Sequence, residues 1–139
     1  MTGSSAGSLV IDASAVVALL TEPGAVGHWV AETISGTTLH APELMWYEAT
    51  NILRRARLAG LLSEAHATLA HSDLLDLNIN LDPYRDLAGR IWELRDNVTS
   101  YDAAYVALAE LRGIPLLTLD VKLARASGPR ARILTPPAT

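Results

Sequence analysis

Four acidic residues stand where chemistry is easiest to place: Asp12, Glu48, Asp102 and Asp120. Asp12 directly follows the apolar run Leu9-Val10-Ile11, and Asp120 directly follows Leu116-Leu117-Thr118-Leu119. Short runs of this kind read as buried parallel strands, and open parallel sheets bind ligands beyond the carboxyl ends of their strands. Asp102 falls at the start of the helix leading into the second run. Glu48 lies in a helix beside an apolar stripe of Met45, Ala49, Ile52 and Ala56. If these elements pack side by side, the four carboxylates meet on one rim. Carboxylates at short range raise one another's pKa unless a counter-charge intervenes. A divalent cation supplies it, and an all-oxygen pocket suits Mg²⁺ or Mn²⁺. Such a site activates water and neutralises a phosphoryl oxygen, so the pattern points to phosphodiester hydrolysis.

Each acid also has an ordinary reading. Asp12, Asp102 and Asp120 each suit a helix N-cap, where Asp is favoured. Glu48 is harder to explain that way, because a Glu beside an apolar stripe needs a partner. Arg55, two turns along the same face, is the obvious one. The case therefore rests on the four together.

The elements that must position them follow from periodicity and punctuation. Helices are expected over Ala13 to Leu20, stopped by Pro23-Gly24, and over Ala25 to Ile34. Thr38 to Ala41 reads as a second strand, with Pro42 opening a helix that runs from Glu43 to Ala59 and ends at Gly60. Ser63 caps a helix reaching Leu75. Leu77 to Leu81 alternates apolar and polar, as a half-exposed strand does. Asp82-Pro83 caps a helix from Tyr84 to Asp96. A helix from Ser100 or Tyr101 to Arg112 ends at Gly113, with Pro115 beyond. After Leu116 to Leu119 come a short helix over Val121 to Ala126 and a last strand over Arg132 to Leu134. Alternating strands and helices imply an α/β/α sandwich with a mainly parallel sheet. The whole chain, 1–139, reads as one domain, with residues 1–7 a flexible lead-in and 135–139 a loose tail.

Bulk composition narrows the function classes. Half of the residues are hydrophobic, yet 5% are aromatic and none is Phe, so the core must be aliphatic. There is no Cys, which removes disulfides, thiolate metal sites and cysteine nucleophiles. The longest apolar stretch, Ala15 to Leu20, is too short to cross a bilayer, and no secretion signal is visible. A cytoplasmic protein without a membrane role is expected. The net charge of −4 disfavours indiscriminate nucleic-acid binding, although Arg54, Arg55 and Arg57 cluster, as do Lys122, Arg125, Arg130 and Arg132. These are candidate backbone contacts or a solvated face. His28, His40, His66 and His71 lack metal-ligand spacing. Trp46, Tyr47, Tyr101 and Tyr105 read as core or interface rather than as stacking platforms.

The motifs, written out, are Val10-Ile11-Asp12-Ala13-Ser14, Glu48-Ala49-Thr50-Asn51-Ile52-Leu53-Arg54-Arg55, the segment from Tyr101-Asp102 to Ala109-Glu110, and Leu117-Thr118-Leu119-Asp120. In this order and spacing, from Leu9 to Leu134, the chain resembles a PIN domain, and specifically the VapC toxins of bacterial and archaeal toxin–antitoxin pairs. The resemblance implies a PIN-like α/β/α sandwich that binds Mg²⁺ or Mn²⁺ and cuts RNA endonucleolytically. By motif, Asp12, Glu48, Asp102 and Asp120 match the family's acidic quartet. Ser14 and Thr118 match supporting hydroxyl positions, and Asn51 matches the polar residue one turn after the Glu. In this reading Asp12, Asp102 and Asp120 hold the principal metal, while Glu48 handles the attacking water or completes a second metal site. Arg55 is a candidate RNA contact. The resemblance also implies a homodimer and a cognate VapB-type antitoxin whose C-terminal segment lies across the active-site groove, with Met45, Trp46 and Tyr47 as candidate groove-lining or dimer residues, or else core.

Two competing classes remain. An aspartyl-phosphate enzyme of the haloacid dehalogenase kind needs a second acid two residues after the first, and Ser14 stands there. A PIN-like module that binds RNA or a partner without turnover is the other alternative.

Overall fold

The computed structural model describes residues 7–138; the first six residues and Thr139 lie outside the described residues, and most of the expected lead-in with them. Five strands, β1 (Ser8–Ile11), β2 (Thr38–Pro42), β3 (Ile79–Asp82), β4 (Leu116–Leu117) and β5 (Ile133–Leu134), form one sheet. The helices among the described residues are α1 (Ala13–Thr21), α2 (Ala25–Ile34), α3 (Leu44–Leu58), α4 (Glu64–Leu75), α5 (Tyr84–Glu93), α6 (Ser100–Arg112) and α7 (Val121–Arg125). The strand order is β3-β2-β1-β4-β5. Every pairing is parallel, with Val10 opposite both His40 and Leu116.

The layers follow from the handedness of crossovers. The chain steps outward from β1 to β2 to β3, then crosses back to β4 and on to β5. Right-handed connections therefore place α1 to α4 on one face and α5 to α7 on the other. Contacts agree: α1 packs on α2, α3 and α4, whereas α5 packs on α6 and α6 covers β1, β2 and β4. The direction of travel reverses between β1 and β4, and the crevice at such a switch point is where parallel sheets bind ligands.

Helix α6 explains much of the core. Ala103 through Ala109 are all buried, so it is apolar on every side, as a helix wedged between a sheet and a neighbouring helix must be. Thr99 caps its start, its hydroxyl accepting from the Asp102 amide at 3.2 Å. Gly113, with φ of 65°, ends it in the left-handed conformation that glycine adopts freely.

Several boundaries differ from the sequence reading, for physical reasons. Pro42 is the last residue of β2 and not the first of α3: it pairs with Asp82, and the Glu43 amide extends that ladder to the Asp82 carbonyl at 3.1 Å. The third strand is shifted to Ile79–Asp82, burying Asp82 and leaving Leu81 exposed. Asp82 caps nothing, because its carboxylate accepts from Arg112 at 2.9 and 3.0 Å. Helix α5 stops at Glu93; Arg95 lies over the Trp92 ring and donates to the Trp92 carbonyl at 2.8 Å, which closes the turn. Strand β4 ends at Leu117, since the Thr118 hydroxyl accepts from the Asp120 amide at 3.0 Å and bends the chain out of the sheet.

Candidate active site

The four acids are brought to one cleft by three ends of secondary structure and one helix face. Asp12 leaves β1 as the N-cap of α1, and its Oδ1 accepts from the Ala15 amide at 3.0 Å. Asp120 follows β4 as the N-cap of α7, accepting from the amides of Lys122 and Leu123 at 2.9 and 3.4 Å. Asp102 sits in the first turn of α6. Because Thr99 does the capping there, the N-cap reading of Asp102 is withdrawn, while Asp12 and Asp120 are both caps and cleft residues. Glu48 projects from α3, whose buried side is Met45, Ala49 and Leu53.

The cleft has a volume of 780 Å³ and is lined by Asp12, Ser14, Glu48, Asn51, Arg55, Asp102 and Asp120, together with Tyr47, Tyr101 and Tyr105. Thr118 is fully buried behind it. All eight residues singled out from sequence thus fall in or directly beneath one cavity.

Asp12 is the most constrained of the acids. It is 8% exposed. Ser14 Oγ donates to its Oδ1 at 2.6 Å, and the Thr118 hydroxyl donates to its Oδ2. Ser14 in turn accepts from the Leu119 amide at 3.2 Å, so two hydroxyls lace the end of β1 to the end of β4. Burial pushes the Asp12 pKa up, the bonds from Ser14, Thr118 and Ala15 pull against that, and the Asp102 charge adds to the rise. Glu48 is raised by burial, eased by its bond to Tyr105, and raised again by Asp102 and Asp12. Asp102 is raised by burial and then by the Asp120 charge. Asp12, Glu48 and Asp102 are thus each raised in part by the charge of another acid of the cleft.

The structure departs from the sequence reading at three places. Glu48 is not partnered by Arg55; Tyr105 Oη donates to its Oε1 at 2.6 Å. Of the core-or-interface reading, only the core half fails for Tyr47 and Tyr101, which are 80% and 64% exposed at the cleft, whereas Met45 and Tyr105 are buried. Arg130 and Arg132 line a separate cavity with Glu110, Gly113 and Pro115. Those residues lie at the amino end of β4, away from the carboxylates, so Arg130 and Arg132 are removed from the candidate contacts, whereas Lys122 sits on α7, which begins directly after Asp120. The sequence reading places Tyr105 in the core or an interface and gives it no part in the site, because a Tyr inside an apolar helix reads as packing until its acceptor is seen.

Among the described residues no helix is long and apolar enough to cross a membrane. Among them also, no three His, Cys, Asp or Glu side chains are grouped closely enough to hold an ion by themselves.

The comparisons with known proteins agree with the geometry. The PIN domain family model matches residues 9–129. Ribonuclease VapC12 of Mycobacterium tuberculosis is 38% identical over 126 residues, covering 90% of this chain and 96% of the relative. Ribonuclease VapC1 of the same organism is 42% identical over 120 residues, 86% and 90% of the two chains. The crystal structure of PAE2754 from Pyrobaculum aerophilum superposes with a TM-score of 0.65 at 27% identity, covering 91% of this chain and 82% of that one. With its acids on the switch point of a five-stranded parallel sheet and its length matched by these relatives, the chain belongs to the PIN domain family, among its VapC members.

Proposed function

We propose that this protein is a Mg²⁺- or Mn²⁺-dependent endoribonuclease, the toxin of a toxin–antitoxin pair. The observation that carries the reading is the convergence of Asp12, Glu48, Asp102 and Asp120 on one cleft at the sheet's switch point. Relatives named as VapC ribonucleases over most of both chains support it.

The donor set is all oxygen, and Asp12, Glu48 and Asp102 are each raised in part by a neighbouring carboxylate, so a dication suits it. The carboxylates line a cleft rather than enclose a point, which suits a cation that keeps much of its own water, the habit of Mg²⁺. Asp12, Asp102 and Asp120 would hold it. A bound dication there supplies water activation and charge neutralisation. Glu48, with its pKa pushed upward, is suited to take a proton from the attacking water. Asn51 and Arg55 lie along the same helix at the cleft wall, where Arg55 offers a forked donor to a phosphate. A VapB-type antitoxin and a homodimer belong to the same proposal, and are supported by family membership.

The test is cleavage mapping of total RNA by the purified protein with Mg²⁺, beside Asp12→Asn and Asp102→Asn. Defined cuts by the parent and none by the variants are expected. Equal cutting by all three would sink the assignment. RNA binding without cutting by the parent would instead favour a binding module.

A further inference from the structure

Tyr105 is 2% exposed, yet its ring reaches the cleft and its hydroxyl donates to Glu48 Oε1 at 2.6 Å. The bond joins α6 to α3 across 57 residues of chain. No other described side chain or amide donates to either oxygen of Glu48 within hydrogen-bonding distance, so this phenol alone fixes the carboxylate. Glu48 needs fixing. Asp102 and Asp12 both act on it as like charges, and a Glu with free torsions relieves such repulsion by swinging to solvent. A buried phenol needs an acceptor, and packing alone would be served by an apolar ring. Here the acceptor is a carboxylate of the cleft, and a bond to a charged acceptor is stronger than a neutral one.

We propose that Tyr105 is the positioning residue for Glu48: its hydroxyl holds one carboxylate oxygen against α6, so that the other stays in the cleft for water or cation. The activity arm of the test rests on the nuclease reading above, whereas the structural arm rests on the geometry alone. Burial and the Glu48 bond keep the phenol protonated by raising its pKa, so it stays a donor.

Tyr105→Phe keeps the ring and deletes the donor. A crystal structure of the variant should show the Glu48 carboxylate displaced from its parental position. Mn²⁺ affinity, measured calorimetrically without RNA, should fall about tenfold, and kcat by a similar factor with KM for RNA unchanged. Glu48→Ala should mask the effect, so that Tyr105→Phe adds nothing in that background. An unmoved Glu48, or losses that simply add, would overturn the proposal. If the parent protein cuts no RNA, the nuclease reading fails, and the crystal structure and the Mn²⁺ titration still decide the role of Tyr105. If Tyr105→Phe does not fold, 3-fluorotyrosine at position 105 serves instead. Its ¹⁹F resonance should shift on Glu48→Ala, and an unchanged resonance would overturn the proposal.

Discussion

The Thr118 hydroxyl donates to the Asp12 carboxylate from 106 residues away in sequence, and accepts in turn from the Asp120 amide. One buried oxygen thereby registers two acids of the cleft against each other. Thr118→Val keeps the shape and deletes the donor. It should destabilise the protein by about 1–3 kcal/mol, the cost of leaving a buried charged group short of a partner, as read from urea denaturation. RNA cleavage should fall as well, because Asp12 and Asp120 lose their common reference.

Asp102 is raised by burial and by Asp120, so without a cation its charge works against the fold. A carboxyl whose folded pKa is raised contributes stability below its unfolded pKa, and that stability is lost as pH rises through the folded value. Asp102→Asn should therefore melt a few degrees above the parent at neutral pH in EDTA, with the gap closing as pH falls toward 4. Millimolar Mg²⁺ should stabilise the parent and leave the variant nearly unchanged. A variant that melts lower than the parent in EDTA would contradict the electrostatic account.

Arg55 lines the cleft and makes no ion pair among the described residues. Arg55→Gln should weaken binding of single-stranded RNA and flatten the slope of log K against log salt by about 0.7, the share of one phosphate contact on a single strand. Fluorescence anisotropy across a salt series, with Asp12→Asn in both proteins to prevent cutting, measures it.

Tyr47 and Tyr101 expose their rings beside the acids. The cleft is lined by four carboxylates and one arginine, so charge alone gives RNA little reason to enter. Stacking on the two rings is a source of affinity beside the single Arg55 contact. Replacing either Tyr with Ala should cost about 1–3 kcal/mol in binding to unpaired RNA and leave the melting temperature unchanged. Unaltered RNA affinity together with lost binding of an antitoxin would reassign both rings to the protein partner.

Far from the cleft, Arg90 clasps Glu110 at 2.7 Å, and the Arg130 amide donates to the same carboxylate at 2.6 Å. Burial pushes the Glu110 pKa up, but the bonds from Arg90 and Arg130 and their charges outweigh it and hold the group below its usual value. A depressed carboxyl contributes stability above its unfolded pKa that disappears as pH falls through the folded one. Glu110→Gln should thus lose about 1–2 kcal/mol at pH 7 and match the parent below pH 3, while cutting RNA normally.

The sheet was legible because its central strands are buried on both faces and read as unbroken apolar runs, as Leu9-Val10-Ile11 does. Edges read less well. The alternation of Leu77 to Leu81 suggested one register, yet the ion pair of Asp82 with Arg112 set another, and the spacing of Asp82 says nothing of a partner 30 residues away. The quartet was legible from strand ends and family motifs together. Its supports were only half so: Ser14 and Thr118 neighbour their acids in the motifs, but Tyr105 meets Glu48 solely through tertiary packing. Local pattern places a side chain on a face and does not name what lies opposite.

Two of the acids also begin helices, Asp12 for α1 and Asp120 for α7, whereas Glu48 and Asp102 cap nothing. The residues of the cleft are therefore unequal in what their loss would cost the molecule. A lineage that abandoned the chemistry would shed Asp102 freely, even gaining robustness, and Glu48 only at the cost of the buried Tyr105 hydroxyl's acceptor, but would keep Asp12 and Asp120 to start its helices. Persistence of those two aspartates is weak testimony to activity. Asp102, which begins no helix and satisfies no buried donor among the described residues, is the acid whose erosion marks a descendant gone silent.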